Sequence, residues 1–193
     1  MYVIFFFILP IALGLGVMLL MRQCAENMRI QLPSGLLISG ALAVVHVALF
    51  CVGMRVGNFL RFEVPEDSGA FVRANALVCV GLALLVAVKL IWPYMGRKKA
   101  PVGFDLTKGF GGVLLFTIAS GINGFLLAIG VGFVESLSGN VHFVVWPLLA
   151  FTFVFSYLGI MFGRQQVPLR PRRWMAVSGL FLVAMAVSVL MKS

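Results

Sequence analysis

The chain has 193 residues, 62% of them hydrophobic and 11% charged, with a formal net charge of +9. Six runs without Lys, Arg, Asp or Glu (residues 1–21, 30–54, 74–88, 109–134, 136–163 and 174–191) hold 133 of the 193 residues, and a helix needs roughly 20 mostly apolar residues to cross a bilayer. Such runs leave no polar face for water, which excludes a soluble globular domain and predicts an all-α integral membrane protein of six transmembrane helices, one domain over 1–193.

Helix 1 is predicted over 2–21. It lacks a basic start and a small-x-small cleavage site before Arg22, so it reads as a span and not as a cleaved signal peptide. Helix 2 is predicted over 34–54, opened by Pro33-Ser34. It carries His46, the one titratable side chain near the centre of any predicted helix. Gly35, Ser39 and Ala43 share its helical face, and a small-residue stripe marks a helix–helix interface, so His46 is expected to point into the bundle. An ionisable group at that depth is a functional candidate, and imidazole can bind a transition metal or relay a proton. The plainer reading is a neutral histidine bonded to a neighbouring helix.

Helix 3 is predicted over 71–92, with Lys89 long enough to snorkel, Pro93 as its stop, and Trp92 and Tyr94 as headgroup anchors. Residues 96–107 form a basic linker containing Arg97, Lys98, Lys99 and Pro101. It divides the chain into halves of three helices, 1–95 and 108–193. Three is odd, so homologous halves would enter the membrane in opposite senses, the inverted repeat of many secondary transporters. An internal echo, Gly14-Leu15-Gly16-Val17 against Gly130-Val131-Gly132-Phe133, points the same way.

Helix 4, over 109–133, holds Ser120-Gly121-Ile122-Asn123-Gly124 at its middle. Two glycines and an asparagine weaken a helix locally, and broken helices at the midplane line binding sites in transporters. Ser120, Gly121, Asn123 and Gly124 are therefore candidate substrate-pathway residues. Thr117, Gly121, Gly124 and Ala128 also form a small-residue stripe suited to close packing, and the two readings are compatible. Helix 5, over 140–163, offers Thr152, Ser156 and Tyr157, of which Ser156 joins the candidate pathway; Pro147 is expected to kink it. Helix 6 is predicted over 174–191.

The cations are unevenly placed. Loops 1, 3 and 5 hold Arg22, Arg29, Arg97, Lys98, Lys99, Lys108, Arg164, Arg170, Arg172 and Arg173, whereas the opposite face has Arg55, Arg61, Arg73 and Lys192. By the positive-inside rule loops 1, 3 and 5 are cytoplasmic and both termini lie outside. The charge thus reads as a topology signal, with membrane lipids as partners and no nucleic acid. Cys24, Cys51 and Cys79 form no Cys-x-x-Cys pair, which supports neither a redox site nor a soft-metal site. All six acidic residues, Glu26, Glu63, Glu66, Asp67, Asp105 and Glu135, fall in loops or at a helix end. No carboxylate is therefore offered to a hard divalent cation at the midplane.

The six-helix plan with outside termini resembles the MntP family of manganese efflux pumps. The second half carries the likeness: Leu114-Leu115-Phe116-Thr117, then Ala128-Ile129-Gly130-Val131-Gly132, then Leu158-Gly159-Ile160-Met161-Phe162-Gly163-Arg164, close to a Leu-Gly-x-x-x-Gly-Arg ending, then a basic loop and a helix containing Gly179. The pattern runs from about residue 108 to 191; in the first half the match is one of spacing. The resemblance implies acidic residues in helices 1, 2 and 4 and at the start of helix 6. Following the spacing, those places hold Leu15, His46, Phe125 and Met175 here, so His46 is the one position still able to bind a metal.

The expectation is a small secondary transporter or exporter of the inner membrane, taking a small solute or a metal ion as substrate, with no cofactor. No Gly-x-x-x-x-Gly-Lys-Ser/Thr loop is present, so an ion gradient or a partner would drive it. The alternative is a non-transporting scaffold or regulatory subunit with a decayed site, and a small-residue face would allow a homodimer. An intramembrane hydrolase using Ser120 and His46 would need contact between them and a group orienting the base; the chain is not read as an enzyme.

Overall fold

The computed structural model describes residues 2–27, 32–61, 69–95, 110–134 and 142–191. They form six helices: α1 (Tyr2–Asn27), α2 (Leu32–Leu60), α3 (Gly69–Met95), α4 (Phe110–Phe133), α5 (His142–Arg164) and α6 (Pro171–Leu190), with no strand among the described residues. Five of them, all but α4, are long and apolar enough to cross a membrane; in α4 the stretch Thr117–Phe133 is a shorter apolar helix. The acidic residues Glu63, Glu66, Asp67, Asp105 and Glu135, with the linker cations Arg97, Lys98 and Lys99, lie outside the described residues.

Several helices outrun the apolar runs that predict them. Charge limits how deep a residue sits in hydrocarbon, but it does not end a helix, and Arg, Gln, Ala and Glu are good helix formers. α1 therefore continues through Arg22, Gln23, Cys24, Ala25 and Glu26, with an ion pair from Arg22 to Glu26 one turn on. Pro93 does not stop α3, which runs on to Met95. A proline removes its own N–H and crowds the preceding turn, a cost confined to one place when the helix ends two residues later.

α1 lies along α5, α2 along α4 and α3 along α6; α2 also meets α5, α3 meets α4, and α1 meets α6. In lipid no hydrophobic force draws helices together, so close backbone approach through small residues does much of the work. Gly53 and Gly57 of α2 sit against the Phe125 and Ile129 carbonyls of α4, leaving no room for a Cβ. Gly159 and Gly163 of α5 sit in the same way against the Met18 and Arg22 carbonyls of α1. Polar bonds add to these crossings. The buried Ser178 Oγ of α6 donates to the Ala12 carbonyl of α1 at 2.7 Å.

The interior is filled by side chains such as Phe50, Leu127, Leu148, Leu182 and Met185, while Leu37, Phe59, Leu180, Trp92 and Trp146 face outward. Apolar residues thus cover both the inside and the outside of the bundle. α5 ends with Gln166 in the left-handed region (φ 51°), where Gln166 N–H donates to the Gly163 carbonyl and Val167 N–H to the Phe162 carbonyl. These two bonds are the Schellman ending, which usually places glycine at this position.

Candidate functional site

α4 is helical without interruption from Phe110 to Phe133, so Ser120-Gly121-Ile122-Asn123-Gly124 is not an unwound segment. Packing supplies the reason. Thr117, Gly121, Gly124 and Ala128 are all buried on one stripe. Gly121 receives the Leu49 side chain of α2, and a Cβ on Gly124 would meet Leu13 of α1. The Leu49 side chain pressed against Gly121 offsets part of the intrinsic weakness that the sequence suggests. The small-residue stripe is therefore a packing face, and the polar pair Ser120 and Asn123 lies beside it, half-buried.

That flank opens onto a cavity of about 120 Å³. Three polar side chains line it, His46 from α2 with Ser120 and Asn123 from α4. Apolar walls come from Leu13, Val17 and Leu20 of α1, Leu90 of α3 and Met175 of α6, with Gly16 and Ala119 completing the lining. The site thus draws on five helices and on both halves of the sequence.

His46 is 3% exposed, as its small-residue neighbours predict: Ser39 and Ala43 on the same face are 0% and 2% exposed. Its Nδ1 is 2.8 Å from the Leu42 carbonyl one turn earlier. A carbonyl oxygen can only accept, so the ring carries its hydrogen on Nδ1 and the neutral ring leaves a lone pair on Nε2. Ser120 Oγ stands 3.4 Å from Nε2, but its hydroxyl donates to the Thr117 carbonyl at 2.8 Å. The Asn123 Oδ1 atom is buried and has no hydrogen-bond partner. For the Ser120–His46 pair to act as nucleophile and base, the serine hydrogen would have to leave Thr117 for Nε2, and the group behind the ring is a backbone carbonyl.

The other predicted pathway residues stand apart from this cavity. Gly121 and Gly124 are packed against Leu49 and Leu13 and do not form its walls. Ser156 is buried on α5 and donates to the Phe153 carbonyl of its own helix at 3.0 Å. Of the four positions where the resemblance implies acidic groups, His46 and Met175 line the cavity. Leu15 is 4% exposed in the core, and Phe125 packs its backbone against Gly53. Among the described residues no group of three or more His, Cys, Asp or Glu is placed to hold a metal ion. The cysteines are free, with Cys24 and Cys79 buried.

Leu13, Val17, Leu20 and Leu90 escaped the sequence reading because nothing separates a cavity-lining leucine from a lipid-facing one in a uniformly apolar run. Gly16, visible in the Gly14–Gly16 pair, was the signal available. No family model, curated protein or solved structure matches the chain.

Proposed function

We propose that this chain is a small secondary transporter of the cell membrane, six-spanning and built as an inverted repeat, with the cavity between its halves as the substrate site. The observation that carries the reading is the cavity itself: it brings His46 of the first half to Ser120 and Asn123 of the second, and transporters of this plan bind solutes between their halves.

The repeat is supported by correspondence of contacts. Exchanging α1 with α4, α2 with α5 and α3 with α6 maps each set of neighbours onto another: α1–α5 becomes α4–α2, and α3–α4 becomes α6–α1. Gly53 and Gly57 on Phe125 and Ile129 correspond to Gly159 and Gly163 on Met18 and Arg22. Gly121 beneath Leu49 corresponds to Gly14 beneath Phe155. In this register Gly14 matches Gly121, and the sequence echo between Gly14–Gly16 and Gly130–Gly132 is out of step. Leu13 and Gly16 match Ser120 and Asn123, and all four line the cavity, which therefore straddles the axis relating the halves. The counterpart of His46 is Thr152.

In this reading loops 1, 3 and 5 are cytoplasmic, export is the direction, and the scaffold is that of the manganese efflux pumps it resembles. The second reading, a scaffold or regulatory subunit, draws on the unbroken α4 and the packing role of Gly121.

The discriminating experiment places Ser120→Cys in a chain whose Cys24, Cys51 and Cys79 are replaced by Ala. A transporter exposes this thiol to an impermeant reagent from each side of a vesicle in turn. A scaffold leaves it unreactive from both.

A further inference from the structure

On the transporter reading, the chemistry of the cavity restricts what it can carry. Two hydrogen-bond acceptors on its lining residues have no committed donor. One is the Nε2 lone pair of His46, since Nδ1 holds the hydrogen against the Leu42 carbonyl and the Ser120 hydroxyl is engaged with Thr117. The other is Asn123 Oδ1, buried and unpartnered. An acceptor left unpaired away from water is costly, so a donor arriving there is favoured.

The walls set the charge of the ligand. None of the side chains lining the cavity carries a formal charge while the imidazole is neutral, and most are aliphatic. The ionisable groups elsewhere on the surrounding helices, including Arg22 and Glu26 of α1, Arg55 of α2 and Lys89 of α3, are not among its walls. A cation entering would lose its hydration with no counter-charge to replace it. A hard divalent ion prefers several anionic oxygens. Size is the third restriction: about 120 Å³ is somewhat less than the roughly 150 Å³ that accommodates benzene.

We propose that the cavity takes a small uncharged hydrogen-bond donor, a carboxamide or alcohol of a few heavy atoms, and not a divalent cation. Its N–H or O–H groups donate to Asn123 Oδ1 and His46 Nε2, and its short alkyl body rests on Leu13 and Leu90. A primary amide fits this pattern well because one nitrogen supplies two donors.

The test uses the full chain in lipid nanodiscs, with acetamide and Mn²⁺ as separate probes. Saturation-transfer NMR should detect saturable acetamide binding, weakened about tenfold or more in Asn123→Leu. Gly16→Val, whose added bulk enters the cavity without removing a polar group, should abolish binding too, and serves if Asn123→Leu does not fold. With the chain labelled on histidine nitrogen, Mn²⁺ should leave the His46 signals sharp. Absence of acetamide binding, or Mn²⁺ broadening of His46 that Asn123→Leu weakens, overturns the proposal. Its failure is separable from that of transport. A Ser120→Cys thiol reached from both sides with no acetamide bound leaves a transporter of another solute. Acetamide bound beside a thiol reached from neither side leaves a binding protein.

Discussion

His46 of α2 and Ser120 of α4, 74 residues apart in the chain, meet with Nε2 and Oγ 3.4 Å apart. Each is anchored to a carbonyl of its own helix, Leu42 for the ring and Thr117 for the hydroxyl. Neither helix therefore depends on the cross-helix contact for its own backbone bonding. His46→Phe, similar in shape, is expected to change stability by no more than about 1 kcal/mol while removing the cavity's Nε2 acceptor. Unfolding in mixed micelles reads the first effect and acetamide binding the second. A loss of several kcal/mol would make His46 a structural residue.

Glycines of this bundle should respond oppositely to alanine according to what they face. Gly57→Ala and Gly163→Ala put a Cβ into the backbone carbonyls of Ile129 and Arg22, which cannot move aside as a side chain can. Each is expected to destabilise by about 1–3 kcal/mol. Gly40 and Gly81 have no neighbouring atom within 4 Å, and alanine there should stabilise by up to about 1 kcal/mol through helix propensity. Unfolding midpoints of the four variants in one detergent series check the contrast. Equal responses would mean that the α2–α4 and α1–α5 crossings are looser than described.

Ser178→Ala removes the donor to the Ala12 carbonyl that ties α6 to α1. Hydrogen bonds between membrane helices are worth little more than those in water, so a loss of about 0.5–1.5 kcal/mol is expected. A double-mutant cycle with a second α1–α6 contact isolates it, and a value near zero would leave this crossing to packing alone.

Gln166→Gly should stabilise the chain by about 1 kcal/mol, because the left-handed conformation that closes α5 strains a side chain and not a glycine. The same measurement on Gln165→Gly, next to it in the turn, gives the comparison. Stabilisation confined to position 166 is the expected result, and destabilisation there would contradict the left-handed ending.

The charge asymmetry predicts that Gln166→Cys, in loop 5, is shielded from an impermeant thiol reagent added outside intact cells, whereas Ser68→Cys, in loop 2, reacts. The reverse pattern would invert the proposed orientation.

The sequence by itself determined that this chain is built of long apolar helices, because a run of some twenty residues without charge has few other stable forms. It also pointed His46 inward, since Gly35, Ser39 and Ala43 share its face and small residues gather where helices touch. It predicted the Thr117–Ala128 stripe for the same reason. The helix ends were less legible: Pro93 and Arg22 read as boundaries, yet backbone bonding carried α3 and α1 past them. Tertiary structure alone decided which apolar residues face the cavity. In water an inward face stands out from a polar one, but in lipid both faces are apolar, so Leu13 at the cavity and Leu37 at the surface look alike in sequence. It alone showed Ser120 through Gly124 in one unbroken helix, with Leu49 arriving from another helix to pack on Gly121. It alone brought His46 and Asn123 to one cavity and left Asn123 Oδ1 without a partner, since hydrogen-bond partners come from across the bundle.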